Sequence, residues 1–149
     1  MAGDESALNA AEKKGLAKFL DLNCPSCHTG ALLGGNEFKK LGFAKPYDDN
    51  KDNGRFDVTK AESDKFLFKT ASLRNVAKTG PYFHDGSIPT LEGAVKLMAK
   101  HQLGKTISDD EAKSVATFLA TLTGEPTAEM MKKPTLPPAS PKTPKPDPN

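Results

Sequence analysis

Five residues constrain this chain more than any others: Cys24-Pro25-Ser26-Cys27-His28. The spacing C-x-x-C-H is the attachment signature of a c-type haem. Two intervening residues let both thiols reach the two vinyl groups of one porphyrin from a single turn. The next residue then brings its imidazole under the iron as proximal ligand. Cys24 and Cys27 are the only cysteines, so no disulfide framework competes. Taken alone, C-x-x-C also fits a thioredoxin-like redox pair or half of a zinc site. A redox pair calls for a βαβ context, and no strand pattern surrounds these residues. A zinc site needs two more ligands, and only His84 and His101 remain, without a spaced partner motif. Pro25 also occurs in redox pairs, so it is the adjacent His28 that decides for haem.

A haem also makes sense of the composition. Hydrophobic residues are 36% of 149, low for a single domain of this length. A porphyrin supplies apolar surface that composition does not count. The formal net charge is +2, so two haem propionates bring the whole close to neutral. That is not the concentrated basic face expected of a nucleic-acid binder. No stretch approaches the roughly 18 apolar residues of a membrane span. Residues 1–5 show neither a basic n-region nor an apolar h-region. Covalent haem attachment normally follows export, so a periplasmic or otherwise exported protein is expected. On this reading the chain is a mature or truncated form without its signal peptide, and Met1 is an added start residue.

The pattern predicts few helices and long loops. Residues 9–22 read as a helix capped by Asn9, with Glu12 three residues on. Leu16, Phe19 and Leu20 form its apolar face. Gly15 in mid-helix costs about 1 kcal/mol relative to Ala, which suggests close approach of another helix. Residues 29–60 read as loop, broken by five glycines. Asp48, Asn50 and Asp52 resemble the start of an EF-hand, but the frame fails because Asn53 and Thr59 stand where Gly and Glu are needed. A short helix is expected near Ser72, with Arg74 as a candidate partner for a propionate. The turn-rich stretch Gly80-Pro81-Tyr82-Phe83-His84-Asp85-Gly86 suits a haem wall. His84 could ligate iron there, but a local hydrogen bond beside Asp85 is the expected role.

Residues 90–101 read as a helix capped by Thr90, with Glu92 in the first turn. Leu91, Ala94, Val95 and Met98 share one face. Met98 is the best-placed soft sixth ligand, and His101 is its rival. Ser108-Asp109-Asp110-Glu111 opens the last helix as a capping box. Ala112, Val115, Phe118, Leu119 and Leu122 form its apolar face, with Gly124 and Pro126 as stops. This helix and the first are expected to cross near the haem. Beyond Glu125 the chain changes character, with eight of the twelve prolines between Pro126 and Pro148. Residues 1–125 therefore read as one domain and residues 126–149 as a Pro/Lys-rich disordered tail.

Several motifs in order resemble a known family. After C-x-x-C-H come Leu33-Gly34-Gly35-Asn36-Glu37-Phe38 and Gly54-Arg55-Phe56-Asp57-Val58-Thr59. Ser72-Leu73-Arg74-Asn75, Pro81 to Gly86, Thr90-Leu91-Glu92, Gln102-Leu103-Gly104 and Leu122-Thr123-Gly124 follow. Over residues 9–125 the chain resembles the C-terminal, electron-transfer half of bacterial dihaem cytochrome c peroxidases and their MauG-like relatives. The resemblance implies an all-α, class I cytochrome c-like fold around one covalent haem c. It implies axial ligation by His28 and Met98. It also implies a calcium ion held partly by carbonyls at Thr79 and Pro81, some of whose ligands belong to the other half. Homodimerisation is implied by the same resemblance alone.

The expected function is a monohaem carrier of single electrons rather than an enzyme, because only one C-x-x-C-H is present. The 23 residues before it are too few for a second haem domain. Its partners would be redox proteins docking transiently near the haem edge. One alternative is the electron-transfer domain or subunit of a cytochrome c peroxidase. Another is a haem enzyme or gas sensor in which Met98 is labile and His84 or His101 is recruited.

Overall fold

A computed structural model describes residues 3–47 and 51–145. The fold is mainly helical, with α1 (Ala10–Asp21), a single turn α2 (Phe56–Thr59), α3 (Leu91–Leu103) and α4 (Asp109–Ala120). Three short 3-10 turns, at Cys24–Ser26, Glu62–Asp64 and Val76–Lys78, punctuate the connections. Two three-residue strands, β1 (Phe38–Lys40) and β2 (Leu67–Lys69), pair antiparallel with Phe38 opposite Lys69 and Lys39 opposite Phe68.

The helix starts follow local chemistry. Asn9 Oδ1 accepts from Glu12 N at 3.0 Å, and Glu12 Oε2 accepts from Asn9 N at 2.7 Å. Thr90 Oγ1 accepts from Gly93 N at 3.1 Å. At α4, Glu111 Oε2 accepts from Ser108 N at 2.9 Å while Ser108 Oγ accepts from Glu111 N at 3.2 Å. Each arrangement satisfies amide groups that a helix start leaves without partners.

The core joins α1, α3 and α4. Phe19, Leu22, Leu73, Val76, Val95, Ala99, Ile107, Ala112, Val115, Phe118 and Leu119 form one buried cluster. Phe19 and Phe118 meet with ring centroids 5.3 Å apart. Gly15 lies against α4 so closely that an added Cβ would strike the Ser114 carbonyl and sit 2.9 Å from Phe118 Cβ. Lys18 Nζ bridges to Glu111 Oε1 at 3.0 Å beside this crossing.

Four expectations need correcting. The chain is not all-α, since β1 and β2 form a small sheet. Residues 29–60 are not wholly loop, because β1 and α2 lie within them. The helix expected near Ser72 is only the 3-10 turn Val76–Lys78, because Asn75 is left-handed at φ 62° and blocks an earlier start. Leu122 lies past α4, which stops at Ala120 before Gly124 and Pro126; its carbonyl accepts from Asn75 N at 3.1 Å. Asp48 and Asn50 of the EF-hand-like stretch lie outside the described residues. From Gly124 to Lys145 every residue is exposed, and none belongs to a helix or strand. Among the described residues, no helix is long and apolar enough to cross a membrane.

The Gly15 contact sets two effects against each other. Gly15→Ala gains about 1 kcal/mol of helix propensity. Forcing a methyl into a backbone contact typically costs about 1–3 kcal/mol. A net loss of stability is expected in urea titration, and a gain would show that the helices do not meet there. The α4 cap makes a pH prediction. Bonds from the Ser108 backbone, then from Lys18, hold the Glu111 carboxyl below its ordinary range. A depressed folded-state value stabilises above the unfolded value and is lost as pH falls through the folded one. Melting curves of wild type and Glu111→Gln should therefore differ most near pH 7 and converge towards about pH 3.

Candidate functional site

The chain encloses a cavity of about 590 Å³, within the ~300–1,000 Å³ typical of cofactor sites. Cys24, Cys27, His28 and Met98 all line it. The rest of the wall is mostly apolar, with Phe19, Leu22, Leu73, Val76, Val95 and Leu119 drawn from the core cluster.

Helix α1 ends at Asp21, and left-handed Asn23 (φ 69°) turns the chain into the Cys24–Ser26 turn. His28 N donates back to the Cys24 carbonyl at 3.1 Å, which closes the motif on itself. The His28 ring is oriented from behind. Its Nδ1 lies 3.1 Å from the Leu33 carbonyl. A carbonyl only accepts, so Nδ1 carries the proton and Nε2 keeps the lone pair that a metal requires. Burial, the largest cause, pulls the His28 imidazole below its ordinary pKa, so the neutral ligating form is favoured. Burial pushes the Cys24 thiol up to about 11. A dithiol redox centre needs a lowered thiol pKa, so the thioredoxin-like reading loses its chemistry.

The Leu33 carbonyl is itself held in place. Leu33 is left-handed at φ 48°, and Gly34 follows at φ 126°. Leu73 N donates to the carbonyls of Leu32 and Leu33 at 3.1 and 3.2 Å, and Gly35 N donates to Thr70 at 2.8 Å. A Cβ on Gly34 would strike the Ala71 carbonyl and stand 3.2 Å from His28 Nδ1. Only glycine leaves room for that carbonyl and the imidazole together.

Helix α3 supplies the facing wall. Leu91, Ala94, Val95, Met98, Ala99, Gln102 and Leu103 line the cavity at helical spacing. His101 falls off this stripe. It is 4% exposed and packs against residues 44–47 instead, with Nδ1 2.8 Å from the Pro46 carbonyl. Helical phase thus places Met98 on the cavity wall and His101 off it. Tyr82 and Ile88 exchange backbone bonds of 2.7 and 3.3 Å, forming a tight turn that carries Tyr82, Phe83 and His84 to the cavity.

His84 does not make the expected local bond. Among the described residues its contacts are rings, stacked on Phe68 at 4.3 Å and edge-on to Tyr47 at 6.4 Å. Asp85 Oδ1 accepts from Ser87 N at 3.1 Å instead. Arg74 is not brought to the cavity. It is exposed, and its guanidinium lies beside Gly124 because Ser72 and left-handed Asn75 turn that segment outward. Exposed Lys39 and Lys69, from the unforeseen sheet, line the cavity instead. Their signal was the interleaving of Phe38 with Lys39 and of Phe68 with Lys69, too short to read as strands. Thr79 and Pro81 stand on the cavity wall, and Thr79 Oγ1 donates to the Val76 carbonyl at 3.1 Å. Among the described residues, no cluster of three or more His, Cys, Asp or Glu is placed to hold a metal ion.

The donor set fits a c-type haem: two thiols, an imidazole with Nε2 free, a thioether, and an apolar wall. Comparison with known proteins agrees with this chemistry, although no family model matches the chain. The chain is 45% identical over 137 residues to cytochrome c peroxidase Ccp of Escherichia coli, covering 89% of this chain and 30% of that protein. It is 42% identical over 150 residues to cytochrome c551 peroxidase of Pseudomonas aeruginosa, covering 98% of this chain and 43% of that one. Among solved structures it is similar to a MauG-like protein associated with microbial copper homeostasis. That match has TM-score 0.63 and 26% identity, and covers 79% of this chain and 48% of the other. The chain thus spans less than half the length of the relatives it matches.

These relatives overturn the expectation of a carrier that is not an enzyme, because cytochrome c peroxidases are enzymes. That expectation rested on counting haem motifs within 149 residues, whereas the matching proteins are more than twice as long.

Gly34→Ala should displace the Leu33 carbonyl and strain a positive-φ site, costing about 1–3 kcal/mol. The expected result is a lower urea midpoint and a smaller fraction of chains carrying covalent haem, read from the reduced pyridine-complex spectrum. Unchanged values for both would show that the Leu33 contact does not orient His28.

Proposed function

This chain is a homologue of the cytochrome c peroxidase/MauG family along most of its length, and on that premise we propose that it is the electron-transfer haem domain of a cytochrome c peroxidase. One observation carries the reading: the cavity wall takes in Cys24, Cys27, His28 and Met98 together. Cys24 and Cys27 would hold one haem c through thioether bonds, and His28 Nε2 and Met98 Sδ are the groups that would ligate its iron. The helices and long connections around it make a class I cytochrome c-like fold. A haem so ligated supplies one-electron chemistry, and methionine ligation favours the reduced state.

The chain's own residues do the rest. The Leu33 carbonyl keeps the proton on His28 Nδ1, so Nε2 is the nitrogen that would be offered to iron. The apolar wall excludes water and limits reorganisation around a changing charge. Because His28 and Met98 of this chain would both ligate the iron, peroxide binding would fall to another part of such an enzyme. Electrons enter from redox proteins that dock transiently at the exposed part of the wall, where Lys39 and Lys69 stand. Thioether attachment places the protein in the periplasm or another exported compartment.

The test is the absorption spectrum of the ferric protein. Wild type should show the weak long-wavelength band of a methionine–iron bond, and Met98→Ala should lose it. The reduction potential should fall by on the order of 0.1–0.3 V, part of the ~0.8 V range that axial ligands span. A band that survives Met98→Ala but disappears in His101→Ala would replace Met98 by His101.

A further inference from the structure

The last turn of α3 is tied down by a group of contacts that ligation and electron transfer leave unused. Residues 40–47 run across it like a strap. Gln102 Oε1 accepts from Gly42 N at 2.7 Å and Phe43 N at 3.3 Å, and Gln102 Nε2 donates to the Lys40 carbonyl at 3.1 Å. That pattern fixes which way the amide faces, since backbone N–H groups only donate.

His101 completes the strap. Its Nδ1 lies 2.8 Å from the Pro46 carbonyl and 3.1 Å from that of Lys45. Both partners only accept, so this nitrogen carries the proton and donates. The His101 carbonyl accepts in turn from Ala44 N at 2.9 Å and Lys45 N at 3.1 Å. Tyr47 packs its ring against the His101 ring at 5.1 Å and stacks on Phe83 at 5.5 Å. The strap therefore reaches the turn that carries His84 to the cavity.

Residues 101 and 102 lie three and four positions after Met98, so they stand one turn beyond it along the helix. The last turn of a helix is where carbonyls lack partners and the backbone frays most readily. Here the carbonyl of His101 is satisfied by the strap, and that of Ala99 by Gly104 N and by Lys105 N at 2.9 Å.

We propose that His101 and Gln102 are positioning residues for Met98, clamping α3 through the 40–47 strap so that the thioether stays on the iron. The proposal rests on the reading that Met98 is the sixth ligand.

The experiment uses the haem-loaded protein and two measurements. One is the methionine–iron band of the ferric form. The other is the rate of cyanide binding, which waits on departure of the methionine. His101→Ala and Gln102→Ala should weaken the band and speed cyanide binding about tenfold, the scale of one lost buried hydrogen bond. His101→Asn can place an amide nitrogen where Nδ1 stands, and should restore both towards wild type. Asn9→Ala is the control, since it removes the α1 cap away from the cavity wall and should leave both measurements unchanged.

The proposal is overturned if the alanine variants lose stability yet keep the wild-type band and cyanide rate. It is equally overturned if Asn9→Ala speeds cyanide binding as much as they do. Should an alanine variant fail to retain haem, His101→Asn and Gln102→Glu carry the same comparison. Gln102→Glu keeps the acceptor and loses the donor, so an intermediate cyanide rate is expected, and a wild-type rate counts against the strap. Absence of the band from wild type would sink the Met98 ligation itself, a result distinct from failure of the clamp.

Discussion

At Gly15 the first and last helices come together backbone to backbone, and much of the molecule depends on that contact. Without a side chain at this position, α1 can lie against Ser114 and Phe118. At the crossing Phe19 meets Phe118, and α1 ends two residues later at Asp21. The Cys24–Ser26 turn starts three residues after that end, and Cys24 lines the same cavity as Val115 and Leu119 of α4. A glycine inside a helix is unfavourable by itself. Here a local loss is exchanged for a core that closes and for thiols delivered to its edge.

Around that frame, backbone groups orient the candidate ligands more than side chains do. His28 is aimed by the Leu33 carbonyl, and that carbonyl is fixed by a left-handed residue, a glycine and bonds from the 70–73 segment. Met98 is presented by the phase of α3, whose final turn is held by carbonyls and amides of residues 40–47. Such positions are less exposed to substitution in neighbouring side chains, because a main-chain group cannot be mutated away. They are sensitive instead to changes in backbone freedom, as at Gly34.

The parts of this arrangement that were legible in the sequence are those encoded locally. Caps at Asn9, Thr90 and Ser108 declare themselves within four residues, and the structure holds each one. The C-x-x-C-H spacing and the phase of Met98 are likewise local. The sheet escaped notice because three residues cannot display an alternating pattern, and its pairing joins positions nearly thirty apart. Arg74 stands away from the cavity, just before Asn75 at positive φ, because charge complementarity shows what a residue could bind and not where the chain carries it. The strap was illegible for a related reason. Gln102 binds backbone amides sixty residues earlier, and an amide group has no sequence signature.

The order of the cavity walls along the chain has a consequence for assembly. Both thiols lie early, at Cys24 and Cys27, whereas α3 and α4 come near the end of the domain. On the proposed reading, a porphyrin joined to those thiols would already be tethered when the later walls arrive. Enclosing it is then an intramolecular event governed by effective concentration, and no longer depends on how much free cofactor surrounds the chain. The apolar faces of α3 and α4 can condense onto a guest that travels with the polypeptide. On the proposed reading, attachment would thus remove dilution as an obstacle to forming the core.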